Sequence, residues 1–194
     1  MSRSGAERKS AEESRQLLID TCIELLADHE IQDVTNRLLE DKTGLNRSYI
    51  TRYFGTRNQM LIEVVRELER RLASEVAESA AGAGELDAAA LVARPESKIG
   101  IQITMWLLSH GVPAEEFIDG EPLLLITIAK RVEKIFGLGP RAARTFAFQM
   151  LLVSAGAASI GPTFGLTDAD SADIQSLIWA QLAQSSATET SLGW

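Results

Sequence analysis

Residues 35–57 read TNRLLEDKTGLNRSYITRYFGTR, and the fold of the chain turns on them. Thr35 stands where an N-cap belongs, ahead of a short helix over 36–42 carrying Leu38 and Leu39. Gly44 stands where a glycine just past the last turn would end that helix. Asn46 then caps a second short helix, 47–53. Two short helices joined by a glycine-containing turn are the arrangement of a helix-turn-helix, whose second helix enters the major groove of DNA. Arg37, Lys42, Arg47, Arg52 and Arg57 face only Glu40 and Asp41, so the segment carries a local charge of +3. Spacing alone leaves a second reading open, because solvated arginines on short surface helices are common in helical domains.

The flanking sequence is helical throughout. Ser10-Ala-Glu-Glu13 has capping-box spacing, and Leu18, Cys22, Leu25 and Leu26 recur at helical spacing over 11–28. Thr56 to Gln59 forms another such box and opens a long helix over 57–79, with Leu61, Val64, Val65, Leu68 and Leu72 on its apolar side. Residues 73–93 are rich in Ala, with Gly82 and Gly84, and read as a junction. A helix from Pro95 to Ser109 turns Ile99, Ile103, Trp106 and Leu107 inward, and Pro113 opens a short helix reaching Phe117. Helices over 121–136 and 140–160 follow, separated by Gly137 to Pro140. A last helix over 169–184 takes Asp168 or Asp170 as its N-cap, and a polar tail begins at Ser185.

Composition narrows the class. At 194 residues, 45% hydrophobic and 24% charged, the chain is neither collagen-like nor disordered. The single cysteine, Cys22, excludes an internal disulfide, reads as an inert core thiol, and leaves no Cys/His cluster for a metal. The polar start lacks the apolar core of a signal peptide. Residues 145–167 carry no charge over 23 positions, long enough to cross a bilayer, but Gln149, Ser154, Ser159, Pro162 and many small residues fit a buried helix at a subunit interface better. A soluble, cytoplasmic protein is expected, with no membrane partner. The net charge of −8 is unevenly spread: residues 1–71 carry −1 and residues 72–194 carry −7. An acidic body with one small basic face still binds DNA, because phosphate contacts act within about a Debye length.

The stretch 35–61 resembles the DNA-binding signature of the tetracycline-repressor (TetR) family, carried by Thr35, Leu39, Gly44, Leu45, Asn46, Tyr53, Phe54, Thr56 and Arg57 without a gap. The likeness covers residues 11–61; beyond them it is architectural. Thr51 stands where the family usually has Tyr, Glu40 where it has a small residue, and Arg57 where it has Lys. The resemblance implies an all-α fold: an N-terminal three-helix helix-turn-helix DNA-binding domain with a flexible arm (1–56), a connecting helix (57–79), and a C-terminal ligand-binding and dimerisation domain (80–194). The arm, with Arg3, Arg8 and Lys9, either reaches the adjacent minor groove or stays a disordered tail.

Arg47, Ser48, Tyr49 and Arg52 are assigned to base edges or nearby backbone, and Thr35, Asn36, Tyr53 and Arg57 to phosphate. Leu39, Leu45, Ile50 and Phe54 are core that sets the angle between the helices. A single reader helix binds too weakly for operator choice, so a homodimer on a palindromic operator is expected, with half-sites about 34–36 Å apart or a multiple of that. The resemblance implies pairing through the last two long helices. Ala143, Ala147, Ser154 and Ala158 would allow close approach there, with Phe146, Met150 and Val153 adding bulk. Ile174, Leu177, Ile178 and Leu182 would give the final helix a matching apolar face. It also implies an effector pocket, for which Met105, Trp106, His110, Phe117, Phe148 and Phe164 are candidates that suit a mostly apolar small molecule. His110 is either a polar anchor or a cap for the last carbonyls of its helix.

The expected function is that of a ligand-responsive regulator, most simply a repressor released by its effector. With only His29 and His110, one cysteine and no phosphate-cradling glycine loop, no nucleophile–base pair is visible, and neither a cofactor nor a metal is called for. The alternative is a helical small-molecule carrier or interaction protein that keeps the fold without specific DNA binding.

Overall fold

The computed structural model describes residues 10–79, 94–117 and 119–184, apart from a few side chains within its helices. Among these residues the structure is all-α, with eight α-helices and no strand. They are α1 (Ala11–Asp28), α2 (Asn36–Thr43), α3 (Ser48–Phe54), α4 (Arg57–Ser79), α5 (Pro95–Ser109), α6 (Leu123–Phe136), α7 (Pro140–Ser159) and α8 (Asp168–Ala183). Short 3-10 helices, Ala114–Phe117 and Gly161–Phe164, lie in two of the connections. The expected junction at 80–93, the N-terminal arm with Arg3, Arg8 and Lys9, and the tail from Ser185 fall outside the described residues, as do the side chains of Ala158 and Leu182.

The helix starts follow local chemistry. Ser10 and Glu13 form a full capping box: the Glu13 N–H donates to Ser10 Oγ (3.1 Å), and the Ser10 N–H donates to Glu13 Oε2 (2.6 Å). At the head of α8 the N-cap is Thr167, which corrects the expectation of Asp168 or Asp170. The Asp170 N–H donates to Thr167 Oγ1 (3.2 Å), while the N–H and hydroxyl of Thr167 donate to Asp170 Oδ2 (2.7 and 2.6 Å). Asp170 is therefore the third residue of the helix and the reciprocal half of a box. Pro113 precedes, rather than opens, the short turn reaching Phe117, which is a 3-10 helix.

The chain divides into two units, Met1–Val64 and Val65–Trp194, with the boundary inside α4. In the first unit α1 packs on α2 and α3, around buried Leu18, Ile19, Cys22, Leu26, Val34, Leu39, Ile50 and Phe54. Arg15 on α1 pairs with Glu63, and its guanidinium stands 5.4 Å from the centre of the Phe54 ring. In the second unit α6 and α7 form the main helix pair, α5 and α8 pack on α7, and Leu72 and Val76 of α4 join the same core. Polar ties also hold α4 there. The Leu124 N–H at the start of α6 donates to Glu69 Oε1 (3.2 Å), and buried Arg131 donates from Nη1 to the Val76 carbonyl (3.3 Å). No helix among the described residues is long and apolar enough to cross a membrane; the uncharged stretch from 145 ends its helix at Ser159 and enters a 3-10 turn.

Candidate nucleic-acid interface

The turn between α2 and α3 is built from its own residues. Gly44 takes φ 69°, the left-handed conformation that side chains with a Cβ adopt only with strain, and its N–H donates to the Glu40 carbonyl (2.8 Å). Thr43 Oγ1 donates to the Leu39 carbonyl (2.7 Å) and accepts from the Leu45 N–H (3.1 Å), which closes the last turn of α2. Thr35 Oγ1 accepts from the Leu38 N–H (3.2 Å), so the expected cap of α2 forms. Asn46 Oδ1 accepts from the Ser48 N–H (2.9 Å) within the turn, but α3 starts one residue later than expected, and its N-cap position is Arg47, which makes no side-chain cap. Leu39 and Ile50 are buried and Leu45 is half-buried, as befits side chains that set the angle between the two helices.

This scaffold leaves one set of donors outward. Arg47, Ser48, Thr51 and Arg52 are exposed around the first turns of α3. Tyr49 and Tyr53 are half-buried and rest on each other, ring centres 5.6 Å apart, with Tyr53 edge-on to buried Phe54 (6.4 Å). Their hydroxyl ends are thus carried by rings anchored at the base of the helix. On α2, Thr35 is exposed and Asn36 half-buried, and Asn36 Oδ1 is a buried acceptor with no hydrogen-bond partner. Arg37, which the contact assignments from sequence passed over, has a side chain 90% exposed and stands 4.0 Å from Asp41. Its signal was available: a basic residue in the first turn of α2, beside the cap.

Arg57 departs from expectation. Its Nε donates to the Val34 carbonyl (3.2 Å) and its Nη2 to the Ile31 carbonyl, so the guanidinium turns onto backbone rather than outward to phosphate. Burial lowers its pKa from the ordinary value, an effect opposed by Cys22. Cys22 itself is fully buried, and desolvation pushes its thiol up to about 12, with Arg57 working the other way. That fits the inert thiol expected.

The second unit sorts the remaining candidates differently from the sequence reading. Ala147, Met150, Ser154 and Ile178, assigned to a pairing face, are buried within the chain alone, and three of them belong to its core cluster. Ile174 is half-buried against that cluster. The physical reason is that α7 packs against α5, α6 and α8 at once, so its small-residue side is consumed internally. What faces outward is Phe148 and Leu152, one turn apart on α7, and Leu177 on α8, each more than half exposed. Of the effector candidates, Trp106 and His110 are brought together, their rings stacked at 3.9 Å. His110 Nδ1 lies 2.7 Å from the Trp106 carbonyl, so His110 caps the end of α5. Phe117 is half-buried in the first 3-10 helix, while Met105, Phe148 and Phe164 are exposed, Phe164 by 77%. Among the described residues no group of three or more His, Cys, Asp or Glu is placed to hold a metal ion.

No family model and no curated protein matches the sequence. Solved structures do. The chain is similar to the multidrug binding protein EbrR complexed with imidazole, at 13% identity over 86% of this chain and 94% of that one, with a TM-score of 0.51. It is also similar to a protein of unknown function from Rhodococcus sp. RHA1, at 16% identity over 93% and 100% of the two chains, TM-score 0.57. At these identities the likeness establishes the all-helical fold that the two structures share with this chain.

Proposed function

We propose that this chain is a DNA-binding transcriptional regulator of the TetR type, a homodimer whose second unit binds a small, mostly apolar effector that releases it from a palindromic operator. The observation that carries the reading is the exposed set Arg47, Ser48, Thr51 and Arg52 around a short helix set by a left-handed glycine turn, the Thr35 cap of α2 and the Asn46 bond to the Ser48 N–H. A groove-reading helix needs slender side chains rich in donors, and these supply them. The reading is supported by the 35–61 signature and by a fold shared with EbrR. That EbrR is described as a multidrug binding protein favours a small-molecule effector here.

Residues 1–56 would serve as reader, 57–79 as connection and 80–194 as effector and pairing region, in a cytoplasmic protein without catalytic residues. Trp106, His110 and Phe117 remain the effector candidates. Pairing moves to the outward residues Phe148, Leu152 and Leu177, since Ala147, Met150 and Ile178 are used internally. An effector acts by binding one of two conformations more tightly, and α4, continuous from one unit into the next, is the element through which a shift would pass.

Fluorescence anisotropy with duplexes from the protein's own upstream region, across a salt series, tests the proposal. Saturable binding to one duplex with a steep negative slope of log K against log[salt] is the expected result. Equal, weak binding to every duplex of a genome-derived library would defeat it. The carrier reading would then lead; it is favoured by the inward turn of Arg57, which takes away one of the expected phosphate ligands.

A further inference from the structure

We infer that Arg57 is a positioning residue: it fixes the backbone that joins α1 to α2, and with it the N-terminus of α2, instead of contacting phosphate. The inference deepens the reading of residues 35–57 as a DNA-contact surface and rests on it for its bearing on affinity. Arg57 opens α4 and its two donors reach back to carbonyls 23 and 26 residues upstream, those of Val34 and Ile31. Both acceptors lie in the connection after α1, where the Asp33 N–H donates to the Glu30 carbonyl (3.0 Å) and the Thr35 N–H to the Asp33 carbonyl (2.8 Å). Val34 is fully buried, and the next residue, Thr35, is the cap of α2. One planar cation thus spans two acceptors that lead directly into that cap.

The geometry uses what distinguishes arginine from lysine. A guanidinium offers donors from Nε and from its far nitrogens in a rigid fork, whereas lysine ends in one compact ammonium and has no donor at the Nε position. A phosphate contact at a helix start, by contrast, is satisfied by either cation. The half-buried setting of Arg57 points the same way, since Arg37, Arg47 and Arg52 of the same unit are all exposed. The departure from lysine in the resembled signature therefore has a structural consequence: it trades a mobile phosphate ligand for a clamp on the segment that presents Thr35 and Asn36.

Arg57→Lys and Arg57→Gln in the full chain separate the two roles. Hydrogen exchange in the free protein should quicken by about tenfold or more at the amides of 31–36 in both variants, with α6 and α7 unchanged. Operator affinity should fall by about tenfold in both, with the slope of log K against log[salt] unaltered. Wild-type exchange and affinity in Arg57→Lys, or a slope reduced by about one in Arg57→Gln, would overturn the inference. A uniform rise in exchange throughout Met1–Val64 would overturn it too, because Arg57 would then be only a general support. If the unaltered protein binds no duplex specifically, the DNA-binding reading is what has failed, and exchange at 31–36 still decides the clamp.

Discussion

Arg47 and Cys22 show how differently two side chains of one unit are committed. Arg47 is exposed at the start of α3, and a guanidinium so placed on a reader helix would pair with the O6 and N7 acceptors of guanine. Arg47→Ala is expected to relax preference at one operator position by about 1–3 kcal/mol, read by comparing anisotropy titrations on the operator and its single-base variants. A uniform loss on all sequences would instead assign Arg47 to phosphate. Cys22 has no exposure, and burial holds its thiol up to about 12, so almost no thiolate exists at neutral pH. Native protein should therefore resist thiol-specific reagents and react only as fast as it unfolds; prompt stoichiometric labelling would contradict the burial. The exposure of Arg47 could be anticipated from sequence, since no apolar periodicity claims its position. The inward turn of Arg57 could not, because its acceptors are backbone carbonyls in a distant loop that no side-chain pattern reveals.

At the scale of elements, the ends of helices carry the most local information. Gly44 has open space around its Cα, so Gly44→Ala meets no clash and its penalty is purely conformational. The left-handed φ of 69° should make it about 1–2 kcal/mol less stable, measured by denaturant unfolding. The box at the head of α8 makes a pH prediction. The Thr167 hydroxyl, then its backbone N–H, hold the Asp170 carboxyl below its ordinary range. A depressed folded pKa contributes stability that is present above the unfolded value, about 3.9, and is lost as pH falls through the folded one. Thr167→Val should accordingly flatten the fall in melting temperature on the acid side of about pH 4, with the neutral-pH fold intact by circular dichroism. An unchanged acid slope would mean that the bond is not maintained in solution. The Thr167-to-Asp170 spacing was legible in the sequence; three cap-forming residues within four positions, Thr167, Asp168 and Asp170, hid which of them came first.

Across the whole molecule, a helix with several neighbours divides its sides between core and surface. Met150, 3% exposed, lies in the core cluster, whereas Leu152 on the same helix and Leu177 on neighbouring α8 face outward. Met150→Ala should destabilise the chain by about 2–5 kcal/mol, because it removes buried surface and leaves a cavity. If the proposed homodimer pairs through these residues, Leu152→Arg combined with Leu177→Glu should leave the melting temperature of the protomer nearly unchanged while shifting sedimentation from dimer to monomer. A dimer that survives both substitutions would place the pairing surface elsewhere. Sequence periodicity marked all of these positions as apolar but could not divide them, since an apolar residue reads the same whether its neighbour belongs to its own chain or to a partner.

The helical class, every α-helix of the described residues to within a residue or two, the glycine turn, and the caps at Ser10 and Thr35 could be read from local sequence. These depend on interactions spanning at most four residues, where side-chain chemistry and chain geometry act directly. Tertiary structure alone decided that Arg57 clamps a loop, that Arg131 is buried against the Val76 carbonyl, and that the small-residue side of α7 is filled from within. Those outcomes depend on which backbone groups and helix faces meet across tens of residues, and such meetings are set by the packing of the fold as a whole.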